Sequence, residues 1–273
     1  MAFDPEWLAL REGLKPAIRI LAAKGEGAAI AARFVSRGAS VVFADPAAVV
    51  NGTAVDIVYV ARREREAAAV RDAEHPLVTA VGGSVRDQAR ANEDVGRLLG
   101  FPRCCVESFC ARIERGVNRL VPRGPSVFAE DYVAARDALV PRPDARLDNL
   151  LLASGVRLVT FYPCRYDCGV AIRYADAILA AMERRQPGAA SSLVRELARD
   201  VALSPSGARC VVALDARGVI VRAEAPPRSG GTPDPTDVAL ARVLEGSRIG
   251  EDGRAAAATE SGEAAWVFRF SAP

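Results

Sequence analysis

Leu-Gly-Phe-Pro-Arg-Cys-Cys-Val-Glu-Ser-Phe-Cys (Leu99 to Cys110) sets three cysteines behind a proline, and Phe-Tyr-Pro-Cys-Arg-Tyr-Asp-Cys-Gly (Phe161 to Gly169) repeats the device with two more. Only Cys210 lies outside these stretches. In each, an aromatic residue and a proline (Phe101-Pro102; Tyr162-Pro163) precede the cysteines and an amphipathic helical pattern follows. Proline suits a first helical position, where its missing N–H has no intrahelical partner anyway. The pattern therefore predicts helices over 102–115 and 163–185 with cysteines in their first turns. Free N–H groups and the positive end of the helix dipole favour a thiolate there. Two such starts brought together would make a pocket for a metal ion, an iron–sulfur cluster or thiol chemistry.

Spacing narrows the geometry. Residues four apart on a helix share a face, so Cys164 and Cys168 can address one centre, whereas Cys104 and Cys105 are turned about 100° from each other. The simplest site takes one of the vicinal pair with Cys164 and Cys168, leaving the other vicinal cysteine or Cys110 as a candidate fourth. Four thiolates suit structural zinc or a [4Fe–4S] cluster, and three leave an open coordination position. The C-x3-C spacing departs from the common zinc-ribbon C-x2-C, and an iron–sulfur cluster is placed ahead of zinc. Cys210, inside a strand pattern, reads as a small buried hydrophobe.

Polar residues flank both clusters. Glu107 is a first-turn carboxylate favoured by the helix dipole, with a ligand or general-base role as the alternative, and Asp167 follows the same logic. Arg103 and Arg165 read either as surface residues or as cations balancing an anionic centre. Tyr162 and Tyr166 read as packing residues able to donate hydrogen bonds. The one histidine, His75, stands beside Pro76 in an expected surface loop, so Ser-His-Asp or Cys-His catalysis has a single imidazole to draw on.

Fifty per cent hydrophobic residues in 273 are ample for a sizeable core, and 36 basic against 34 acidic residues leave a formal charge of +2. The densest charge runs, Arg62 to Glu66 and Glu183 to Arg185, mix signs or are brief. They read as solvated helix faces, not phosphate-binding patches. Neither a signal-peptide pattern nor an apolar run of about 18 residues is present, and the expectation is a cytoplasmic protein with no nucleic-acid or membrane partner. In that compartment clustered cysteines point to metal or catalysis before disulfides.

Along the chain, the apolar spacing from Pro5 to Leu21 predicts a helix interrupted at Pro16, and Gly27 to Ser36 a second. Ala39 to Ala44 and Val55 to Val60 read as strands, antiparallel because little chain separates them, with Asn51-Gly52 as the turn. Helices are expected from Arg62 to Glu74, ended by His75-Pro76, and from a Ser84 N-cap to Leu99, ended by Gly100. Gly82-Gly83-Ser84 lacks the strand–GxGxxG–helix context of a dinucleotide site. Val117 to Pro143 reads as irregular, followed by a short helix near Leu147 to Leu152 and a strand-like Arg157 to Phe161. A helix from Ser191 to Val201, a hairpin of Cys210–Leu214 with Val219–Ala223, a helix from Thr236 to Leu244 and a strand from Ala265 to Phe270 complete the reading. The fold class is α+β: a helical, cysteine-bearing core with a small mixed or antiparallel sheet built from the N-terminal strands and the C-terminal hairpin. The expected segments are 1–90, 91–188 and 189–273.

Leu99 to Glu107, Asp148 to Leu152 (Asp-Asn-Leu-Leu-Leu) and Tyr162 to Cys168 together resemble an uncharacterised prokaryotic domain of unknown function. Its members pair Gly-Tyr-Pro-x-Cys-Cys with a downstream Pro-Cys-x-x-x-Cys. The resemblance implies that Cys104, Cys105, Cys164 and Cys168 are the shared set, with Cys110 and Cys210 outside it, and it brings Asn149 among the residues expected to support them. Members often carry a histidine just before the second motif, where this chain has Phe161-Tyr162, so no histidine ligand is implied at that position. The expected function is a metal-binding protein with a cysteine-ligated centre, serving a redox or biosynthetic step with an unidentified small molecule or protein partner. Metal-free thiol or sulfur-carrying chemistry and a binding module braced by structural zinc are the alternatives.

Overall fold

Val-Asp-Ile-Val-Tyr-Val-Ala (Val55 to Ala61) is almost continuously apolar, as expected for a strand covered on both faces. The computed structural model describes residues 4–44, 48–50, 53–79, 84–115, 127–150, 157–226, 232–250, 254–255 and 265–272, and they divide into two compact units, Met1–Pro125 and Ser126–Pro273. Asn51-Gly52, Gly82-Gly83 and Leu151-Leu152 lie outside the described residues.

In the first unit, helix α1 (Pro5–Glu12) is followed by strand β1 (Ala17–Ala23), helix α2 (Gly27–Val35), strands β2 (Ser40–Phe43), β3 (Val49–Val50) and β4 (Thr53–Ala61), and helices α3 (Glu64–Thr79), α4 (Val85–Leu98) and α5 (Arg103–Glu114). The sheet runs β1-β4-β2 with β3 also on β4, every pair antiparallel. Alternation along β4 sorts its side chains. Val58 and Val60 join Leu10, Ile18, Ala31 and Phe34 on one face, while Ile57, Tyr59 and Ala61 meet Ala67, Val70, Val95 and Leu99 on the other. Three buried side chains of this unit, Tyr59, Glu74 and Lys15, meet partners: Tyr59 donates to Glu74 at 2.7 Å, Arg19 also reaches Glu74, and Lys15 donates to Glu6 at 2.6 Å.

In the second unit, helix α6 (Val127–Ala138), a 3-10 turn (Ala145–Leu147) and helices α7 (Gly169–Arg185) and α8 (Ala189–Leu197) precede strands β5 (Asp200–Leu203), β6 (Arg209–Leu214) and β7 (Ile220–Glu224). Helix α9 (Pro235–Leu244) and strands β8 (Arg254–Ala255) and β9 (Ala265–Phe268) follow. The antiparallel sheet has the order β7-β6-β5-β9-β8. Leu240, Ala241 and Leu244 of α9 pack with Cys210, Val212 and Ile220 in its core.

The class is α+β, but the N-terminal strands and the C-terminal hairpin occupy separate sheets. Five local expectations also change. The apolar stripe to Leu21 is split because Gly13, at φ 78°, closes α1, and the chain beyond Pro16 extends along β4. Helix α3 continues through Pro76, since Leu77 and Val78 beyond it pack on the same core as Val70 and offset one lost rung. Part of the expected irregular segment is α6, whose neighbouring prolines lie outside the helix. Asp200 and Val201, expected as the end of a helix from Ser191, belong instead to β5, between β6 and β9, and Arg157 to Phe161 form no ladder among the described residues. None of the described helices is long and apolar enough to cross a membrane.

Candidate metal centre

Cys104 and Cys105 owe their position to a tight corner. Ser84 caps α4 through a capping box with Asp87, and the helix closes when Phe101 N–H donates to the Gly96 carbonyl and Gly100 N–H to that of Arg97. This is a Schellman closure, and Gly100 takes the left-handed conformation it requires at φ 75°. A Cβ there would also stand 2.7 Å from Pro16 Cδ. Pro102 then caps α5, so Cys104 and Cys105 are its second and third residues, in the first turn as expected.

The second pair is built differently from the sequence reading. Helix α7 begins at Gly169 with Cys168 as its N-cap, and Cys164 lies in the preceding turn rather than on the helix. Tyr166 explains why. Its N–H donates to the Ala138 carbonyl at 2.9 Å and its carbonyl accepts from Asp144 N–H at 2.8 Å, which takes both groups out of a helical ladder. Its hydroxyl donates to Asn149 Oδ1 at 3.1 Å, and its ring packs edge-on against Phe268 and Phe270. Cys168 N–H donates to the Arg165 carbonyl at 3.2 Å, and that turn carries Cys168 back toward Cys164 without i,i+4 helical spacing.

The four sulfurs of Cys104, Cys105, Cys164 and Cys168 lie within 4.8 Å of one another. Both vicinal cysteines take part, so the fourth position left between the second of them and Cys110 falls to the vicinal residue. Side chains on a helix lean toward its N-terminus, so those of a first turn project past the helix end, where 100° of rotation no longer keeps them apart. Cys105 and Cys168 are buried; Cys104 and Cys164 are half-buried. Donor chemistry and spacing both fit a soft metal: four potential thiolates, with no carboxylate or imidazole in the group.

The flanking residues sort themselves by pairing. Arg103 bonds Glu107 at 2.7 Å on the exposed face of α5, and Arg165 forms a two-pronged pair with Asp167 at 2.9 Å, which holds the Asp167 carboxyl below the usual range. Neither carboxylate shares the sulfur cluster. Asn149 is buried and hydrogen-bonded to the cysteine turn itself. Cys110 stays outside, donating to the Ala89 carbonyl at 3.3 Å, with burial raising its thiol pKa to about 11. Cys210 sits in the sheet core, and burial raises it to about 12. His75 is exposed on α3, not in a loop.

Sequence reasoning missed Asp148. Its carboxyl is fully buried: Oδ1 accepts from Leu150 N–H at 2.8 Å, and Oδ2 has no hydrogen-bond partner. Desolvation raises its pKa to about 7, against the pull of that N–H and of Arg209. Its place in Asp-Asn-Leu-Leu-Leu, an acid and an amide leading into an apolar run, was the available signal.

Residues 55–123 match a family described as a protein of unknown function, DUF483. The matched span contains Leu99 to Glu107 and ends before Asp148 and the second cysteine pair. No curated protein and no solved structure matches the chain.

Proposed function

We propose that this chain is a metalloprotein in which Cys104, Cys105, Cys164 and Cys168 hold one metal ion through four thiolates, and that the ion is zinc. The observation that carries the reading is the mutual approach of the four sulfurs to within 4.8 Å. Ligands at about 2.3 Å from a tetrahedral ion stand about 3.8 Å from one another, a small contraction from that spacing. A [4Fe–4S] cube puts each thiolate on a different iron and splays its sulfurs farther apart, so the spacing favours one ion over the cluster that the sequence reading preferred. Four protein ligands fill a tetrahedral shell and suit a structural role better than an open Lewis-acid position.

Elemental and acid-labile sulfide analysis of protein purified without added metal tests this. About one zinc per chain, no sulfide and a colourless solution are expected; brown protein with broad absorption near roughly 400 nm and stoichiometric sulfide would replace the single ion with a cluster. Half-exposure of Cys104 and Cys164 favours a second reading, thiol chemistry in the metal-free protein. A metal-free native form with a rapidly alkylated subset of cysteines would support it, and slow, uniform labelling would dismiss it.

A further inference from the structure

Residues 161–168 form an irregular turn with no helical or strand ladder of its own, yet they must present Cys164 and Cys168 in one geometry. A single side chain ties this turn at two points. Asn149 Nδ2 donates to the Phe161 carbonyl at 3.0 Å, and Asn149 Oδ1 accepts from the Tyr166 hydroxyl at 3.1 Å. The two tethers bracket Cys164, three residues past the first and two before the second. Because the Phe161 carbonyl can only accept, the amide has one orientation, and the Tyr166 hydroxyl is left to donate.

The backbone bearing Asn149 is itself fixed. Asp148 N–H donates to the Ala145 carbonyl at 3.1 Å, Leu150 N–H donates to Asp148 Oδ1, and the Arg209 guanidinium donates to the Leu150 carbonyl. At the far ends of the turn, Phe161 packs edge-on against Tyr174 of α7, and Tyr166 against Phe268 and Phe270. Aspartate at 149 would set a carboxylate against the Phe161 carbonyl, and alanine would release both tethers. A turn held in its binding conformation before the metal arrives does not lose that ordering entropy on binding.

We infer that Asn149 is a positioning residue for the metal centre, pre-setting the Cys164–Cys168 turn so that both sulfurs meet the ion without rearrangement. This rests on the four-thiolate reading. Polar groups that orient metal ligands commonly alter affinity by roughly ten- to hundredfold when removed, and that loss is expected for Asn149→Ala. Tyr166→Phe, which keeps the ring and the Phe161 tether, should lose several-fold less than Asn149→Ala.

The test is cobalt(II) titration of metal-free full-length chain, followed by the thiolate-to-cobalt charge-transfer band, with zinc competition for affinity and melting temperature read with and without metal. Weaker affinity, a weaker band and a smaller metal-induced rise in melting temperature in Asn149→Ala support the inference. A merely structural role lowers melting equally with and without metal and leaves band and affinity unchanged, which overturns it. Should Asn149→Ala fail to fold, Tyr166→Phe decides on the same readouts, and wild-type affinity in that variant overturns the inference. Wild-type protein with no charge-transfer band removes the four-thiolate reading itself, whereas a normal wild-type band with unperturbed variants removes only the role of Asn149.

Discussion

Asp148 carries the clearest titration among the described residues. Its carboxyl is ordinary in the unfolded chain, near about 3.9, and is raised to about 7 in the fold by burial. Between those values the folded state binds the proton that the unfolded state has released, so stability is full below about pH 4 and falls as pH rises through 7. The effect is on the order of a few kcal/mol. Asp148→Asn, which cannot ionise, should flatten the decline in melting temperature between about pH 4 and 7 and melt above wild type at the alkaline end. An equally steep decline in the variant would show that other groups cause it. The cysteines divide on the same physics. With Cys210 raised to about 12 and Cys110 to about 11 by burial, both should be alkylated last in the metal-free native protein, as mass mapping after timed iodoacetamide labelling will read. The four clustered residues were legible because proline–cysteine starts occur twice; Asn149 was legible only as part of a motif, since nothing in a sequence says which carbonyl an amide will find.

The corner between α4 and α5 shows what a sequence states well. Ser84, Asp87, Gly100 and Pro102 are each punctuation with a local cause, and the structure uses all four as caps or closures. Gly96 was silent because its reason is a neighbour: a Cβ there would stand 2.8 Å from Val106 Cγ2, in the residue next to Cys105. Gly96→Ala should therefore destabilise by about 1–3 kcal/mol, measured by urea unfolding, despite alanine's better helix propensity. A stabilised variant would mean that α5 can move aside. Ser84→Ala, losing the cap but no packing, should cost about 1 kcal/mol by the same measurement. The turn before α7 is the converse case. Pro163 and the following apolar spacing predict a helix from 163, and only the distant partners of Tyr166, at Ala138 and Asp144, delay its start to Gly169.

At the scale of the whole chain, alternation and turn chemistry sufficed for the α+β class and the β6–β7 hairpin, whose Asp215 and Gly218 build the turn locally. Distribution of strands between two sheets was not legible, because β1 and β5 adjoin stretches of helical apolar spacing, and they are strands by virtue of partners far along the chain. The proposed metal has its test at this scale too. A strong chelator should lower the melting temperature by several degrees, and re-added zinc should restore it; melting indifferent to both would leave the cysteines without a stabilising ion. Strand β4 has a different consequence. Val58 to Ala61 pair with β1 on one side and β2 on the other, and all four residues are buried. In heavy water, their backbone protons should be the last of the Met1–Pro125 unit to exchange for deuterium, released only when that whole unit opens.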